Sequence, residues 1–162
     1  MASFFAEVRA LHILVAAAWF GAAAFLTLYL MPALGQLGAQ GAPVLRALDG
    51  RRFHLFMAAN AGLTVLSGAW LYWTLTAGFS PQVMASRSGM VFGIGGLAGL
   101  VAAVVGATLV GGSAKRLAAL AAGGTPEPET VAVLQRRIRT GSRFALALMF
   151  LALLAMTMGH AA

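Results

Sequence analysis

The chain has 162 residues, 60% of them from the apolar set AVILMFWYC and only 9% charged. A water-soluble domain averages roughly 45 to 50% apolar and about 25% charged residues, so an ordinary soluble globule is excluded and a bilayer is indicated. Eleven Lys and Arg against four Asp and Glu give a formal charge of +7, and cysteine is absent. The lack of thiols removes disulfides, zinc ribbons, Fe–S clusters and thiol catalysis together, leaving His, Met or oxygen as ligands for any metal or cofactor.

A hydrocarbon core about 30 Å thick needs about 20 apolar residues in helical form. Four runs meet that length. The first covers residues 10–31, from Ala10 to Met31, contains Trp19, Phe20 and Tyr29, and is predicted to stop at Pro32. Its apolar length exceeds the roughly 7 to 15 residues of a signal-peptide core, so it reads as a mature helix. The second covers residues 53–77 and runs into Gly78-Phe79-Ser80-Pro81, a turn signal. The third covers residues 89–112, and the fourth residues 144–160. The fold class predicted is therefore all-α: a single integral membrane domain over residues 1–162, built as a four-transmembrane-helix bundle.

The cations divide unevenly between the two ends of such a bundle. Arg46, Arg51 and Arg52 lie between helices one and two. Lys115, Arg116, Arg136, Arg137, Arg139 and Arg143 lie between helices three and four, whereas only Arg9 and Arg87 lie on the other side. The positive-inside rule then places both basic connections in the cytoplasm and both termini on the periplasmic or outer side of a bacterial inner (cytoplasmic) membrane, crossed several times. Anionic lipid headgroups are the partner this charge implies, and no motif supports nucleic acid. Between Ala114 and Arg143, Lys115 to Ala121 extends helix three, and Gly123-Gly124-Thr125-Pro126-Glu127-Pro128-Glu129 reads as a stop and a new start. Thr125 is the expected cap and Pro126 the expected first-turn residue, giving a cytoplasmic helical hairpin.

Lipid tails are as apolar as leucine, so helices in a membrane associate through close backbone contact and shared polar groups. Helix three carries Gly95, Gly99, Ala103, Ala107 and Gly111 at a spacing of four. That stripe predicts the most tightly packed helix of the bundle or a dimer face. Ala17 and Gly21 on helix one, and Ala58 and Gly62 on helix two, have the same spacing. Asn60, Thr64 and Ser67 share one face of helix two, which must point inward to satisfy its polar groups. Asn60 reads either as an interhelical hydrogen bond that fixes packing or as the lining of a small polar ligand cavity. Trp70, Tyr72 and Trp73 suit an aromatic belt at the outer end of helix two.

Three histidines hold what chemistry remains. His12 opens helix one and His160 closes helix four, so antiparallel helices bring both to the outer face, while His54 follows Arg51 and Arg52 at the opposite end as an interfacial anchor. An imidazole within a span is costly unless paired, and neutral imidazole is a common ligand for transition metals and haem iron. Met149, Met156 and Met158 add thioethers on helix four, with Met84 and Met90 toward the same end. Thioether with imidazole suits Cu(I), and His with His or Met suits a b-type haem, with His12 and His160 as metal ligands. Met is also an ordinary core filler, and a terminal His160 suits the headgroup region. There is no catalytic triad, pair of inward carboxylates or phosphate-binding loop, so the sequence leaves open whether the chain is an enzyme.

Leu11-His12 followed by Trp19-Phe20-Gly21 resembles the first transmembrane helix of the copper-resistance protein D (CopD) type and of the HemJ-type membrane protoporphyrinogen oxidases. Arg52-Phe53 leading to Leu66-Ser67-Gly68 is similar to the second helix of the CopD-type group. The resemblance covers about the first half of the chain and implies haem b or copper at His12, for redox or metal handling near the outer face. His12 and Trp19 are seven residues apart on one helix face, so a flat ring or metal could touch both. The alternative is a cofactor-free structural or assembly subunit that joins a homo-oligomer or a membrane partner through its small-residue faces.

Overall fold

The computed structural model describes residues 2–124 and 127–159. Those residues form helices and turns without strands, and four helical runs are long and apolar enough to cross a membrane: Ser3–Leu37, Phe53–Leu75, Arg87–Ala122 and Pro128–Met158. The chain is thus an all-helical, multi-pass type of membrane protein by length and composition.

The first run does not stop at Pro32. It consists of α1 (Ala2–Phe25), a π-helical segment Leu26–Leu30, and α2 (Met31–Leu37). Proline lacks an N–H and its ring crowds the carbonyl four residues back, which would kink a regular helix. Here the Met31 N–H reaches the Leu26 carbonyl, five residues back, and the widened turn just before Pro32 absorbs the misfit. The helix ends instead at Gly38, whose φ of +52° is one that L side chains rarely adopt. A short 3-10 turn, Gly38–Gly41, and α3 (Ala42–Gly50) complete the first basic connection.

The second run is α4 (Phe53–Leu75). Thr76, fully buried, closes it: its hydroxyl donates to the Tyr72 carbonyl and accepts the Phe79 N–H across the turn. After α5 (Pro81–Met84), Ser86 caps the third run by accepting the Gly89 N–H. That run comprises α6 (Arg87–Val105), a second π-helical segment Gly106–Gly111, and α7 (Gly112–Ala122). The fourth, α8 (Pro128–Met158), starts on Pro128 in its first turn with Glu129 beside it, and Thr125 and Pro126 lie outside the described residues. α7 packs on the first turns of α8, forming the hairpin that the Gly-Gly and Pro signals predicted.

Neighbouring runs are antiparallel. His12 meets Ser67 while Phe4 meets Trp70, and Tyr72 meets Gly89. Gly95 faces Ala155, Gly99 faces Ala152, and Gly141 faces Leu109 and Val110. Both basic connections therefore leave the same end of the bundle. The closest packing joins α6 to α8, followed by α1 to α4. The small stripe of the third run is used within this chain: a Cβ on Gly95 would stand 2.9 Å from Ala155 Cβ, and Ala98 and Ala102 are buried beside it. Trp19 from α1 closes the centre, 7% exposed, against Ala102, Ala145 and Met149.

The asymmetry of adjacent glycines makes a test. Gly95→Val should destabilise the protein by about 1–3 kcal/mol, because the added atoms meet the backbone and Cβ of α8. Gly96 meets nothing within 4 Å, so Gly96→Ala should be neutral or gain up to about 1 kcal/mol of helix propensity. Thermal unfolding of both variants in the same detergent checks the pair.

Candidate functional site

The polar stripe of α4 satisfies itself first. Asn60 Nδ2 donates to the Phe56 carbonyl, Thr64 Oγ1 to the Asn60 carbonyl, and Ser67 Oγ to the Leu63 carbonyl. Each is a bond to the residue four earlier, the local option open to short polar side chains in a helix. Asn60 thus bonds within its own helix. The interhelical bond on this face belongs to Ser67, which lies 3.0 Å from His12 Nδ1.

The direction of that bond follows from where the Ser67 hydrogen goes. A serine hydroxyl has one hydrogen, and Ser67 gives it to the Leu63 carbonyl. With that hydrogen on the Leu63 carbonyl, the shortest of the Ser67 contacts, Ser67 accepts from His12 and Nδ1 carries the proton. With the proton on Nδ1, Nε2 keeps its lone pair; the ring also has a hydrogen bond with the Thr64 backbone. The ring lies directly over Gly68: a Cβ at that position would stand 2.9 Å from His12 Cε1 and 3.4 Å from Nδ1. Glycine is required there to admit the imidazole between α1 and α4, while Ser67, buried at the next position, sets its tautomer. Two turns toward the N-terminus the two helices are held again, by Phe4 edge-on to Trp70 at 5.3 Å and Phe5 at 6.1 Å.

The other candidates are distributed around the bundle. Trp19 shares the His12 face of α1 but is committed to the central core. Met156 lies on α8 against α6, its Cε 3.2 Å from a Cβ built on Gly95. His160 lies outside the described residues. Met149 is core, and Met84, Met90 and Met158 are exposed on the surface. His54 Nδ1 donates to Asp49 Oδ1 at 3.0 Å, an exposed contact at the basic end. Of the outer aromatics, Tyr72 donates to the Gly89 carbonyl and Trp73 is half exposed.

As a ligand set, His12 suits one role. Metal-bound histidines characteristically donate their second ring N–H to a fixed acceptor, which orients the ring, and Ser67 supplies that acceptor. Among the described residues no three His, Cys, Asp or Glu side chains come together to hold a metal ion. A single imidazole with a free Nε2 is sufficient as a proximal ligand to haem iron. Sequence reasoning singled out His12 and the α4 stripe but not their pairing. The signal was available, since a lone imidazole in one span and a polar stripe in its antiparallel neighbour are natural partners.

A double-mutant cycle on His12→Ala and Ser67→Ala should give a coupling of about 0.6 kcal/mol, rising to about 1.7 at most, as for hydrogen bonds between membrane helices. Additive losses would show that the two side chains do not interact. In comparisons with known proteins, no family model, no curated protein and no solved structure matches the chain.

Proposed function

We propose that the protein is a small multi-pass protein of a bacterial inner membrane that holds haem b near the outer face, with His12 Nε2 as the axial ligand. The observation that carries this reading is the interhelical contact of His12 Nδ1 with Ser67, which, with Nδ1 as donor, leaves Nε2 its lone pair. Gly68 provides the room for the ring, and the resemblance of the first two helices to the CopD and HemJ types points the same way. A bound haem would supply one-electron chemistry of its own. This chain's part is to hold and orient the imidazole, on Ser67 and over Gly68. Copper fits less well, because Cu(I) needs further soft donors and Met156 is seated against Gly95 on the α6 side. The nine cations at one end support placing that end in the cytoplasm, with the termini outside.

A second reading, a cofactor-free assembly subunit, draws on Gly21 and Gly62. Both have open space where a Cβ would stand, so a partner helix has room to approach them closely.

Absorbance of the detergent-solubilised protein, before and after addition of haemin, separates these readings. The expected result is a Soret band and a b-type pyridine haemochrome, lost in His12→Ala and shifted in wavelength in Ser67→Ala. A wild-type protein that takes up no haem would overturn the proposal. Copper found by elemental analysis and lost with His12 would replace haem by copper, and a colourless oligomer would favour the assembly subunit.

A further inference from the structure

A second site lies between the first and fourth spans, on a different face of α1 from His12 and nearer the basic end. Phe20, Ala24 and Leu28 form one wall and Ala147 and Phe150 the other, enclosing an open groove of about 520 Å³ with Arg143 at its mouth. At 1.5 Å per residue the walls extend about 12 Å along α1 and about 10 Å along α8, from Arg143 toward the middle of the spans. Leu28 belongs to the π-helical segment before Pro32, so the proline-induced widening shapes this wall. π-helical turns frequently occur at functional sites.

Among the described residues Arg143 has no carboxylate partner. The chain contains four acids: Asp49 meets His54, Glu129 lines a pocket with Arg116 and Arg137, Glu127 precedes α8, and Glu7 lies near the opposite end of the bundle. No Asp or Glu occurs between residues 50 and 126. A guanidinium at the edge of an apolar groove needs an anion, and its planar fork matches phosphate. Arg139 and Arg136 continue the same side of α8 outward, four and seven residues before Arg143.

We propose that this groove binds one anionic phospholipid, its phosphate on Arg143 and one acyl chain lying between Phe20, Ala24, Leu28, Ala147 and Phe150. Charge complementarity selects an anionic head, and the lining selects a hydrocarbon chain continuous with it. The site is independent of any cofactor at His12.

Native mass spectrometry and thermal unfolding of the full chain in detergent test it, with phosphatidylglycerol, phosphatidylcholine or inorganic phosphate added. Phosphatidylglycerol should bind as one tight adduct and raise the unfolding temperature, and the other two should not. Arg143→Gln should weaken it about tenfold or more, the loss expected for one charge-assisted hydrogen bond. Arg143→Lys keeps the charge and should retain part of the affinity, which preserves the comparison if the neutral variant fails to insert. Ala147→Trp should weaken binding by filling the groove while leaving Arg143 in place. Equal binding of phosphatidylcholine, unchanged affinity in Arg143→Gln or Ala147→Trp, equal affinity of Arg143→Gln and Arg143→Lys, or equal stabilisation by inorganic phosphate would each overturn the proposal.

Discussion

Because lipid tails solvate leucine as well as another leucine does, the helices of this protein hold together where their backbones approach closely, and α6 and α8 do so most fully. Gly95, Ala98, Gly99 and Ala102 on one helix face Ala145, Ala152 and Ala155 on the other, with little side-chain volume between them. This pair is the base on which the rest is laid. Trp19 fills the space above it, and a ring of that size in the centre fixes the rotation of α1. Once Trp19 points inward, His12 two turns away is carried to α4, while Phe20, Ala24 and Leu28 turn toward α8. One packing decision thus determines both what the imidazole meets and what lines the groove.

The two π-helical segments show how the long runs stay continuous without ideal sequence. The first sits just before Pro32 and converts a helix-breaking residue into a local change of register. The second, Gly106–Gly111, is rich in glycine and lies where α8 presents Gly141, a position at which a Cβ would press on Leu109 and Val110. Both widen a helix near the basic end, where the spans continue beyond their apolar stretches into α2 and α7. Hydrogen bonding along the backbone continues in each case, as a low-dielectric setting demands.

Hydropathy alone made the number and approximate place of the spans legible, since 20 uncharged residues have few other uses. It did not fix their ends. Apolar composition reports contact with lipid, whereas a helix ends where backbone geometry changes, and so the runs extend to Gly38 and Ala122 rather than to Pro32 and Gly112. The same distinction governs the site. His12 and the stripe Asn60, Thr64, Ser67 were visible as costly polar groups, but which of the three would cross to α1 depends on interhelical register, which no single-helix pattern contains. Asn60 and Thr64 turn back on their own helix, and Ser67 makes the link because Gly68 beside it leaves room for the ring. The groove at Arg143 was beyond reach for the same reason: its two walls are 115 or more residues apart in the chain and meet only through the packing of the first span on the fourth.

The two ends of the bundle solve opposite electrostatic problems. Toward the termini, the buried polar groups find partners in the chain itself: Ser67 serves His12, Tyr72 serves the Gly89 carbonyl, Thr76 closes its own turn. At the basic end that is impossible, because nine cations have only Asp49, Glu127 and Glu129 near them in sequence. Salt bridges at a water interface would in any case add little, as the exposed Asp49–His54 contact illustrates. A membrane surface with anionic headgroups can supply the countercharge, an attraction of about 1 kcal/mol per basic residue near it. Most of those cations need no particular lipid. Arg143 differs from them in standing over a groove that is apolar below it, so the lipid proposed there would join the packing between the first and fourth spans rather than act only as its solvent.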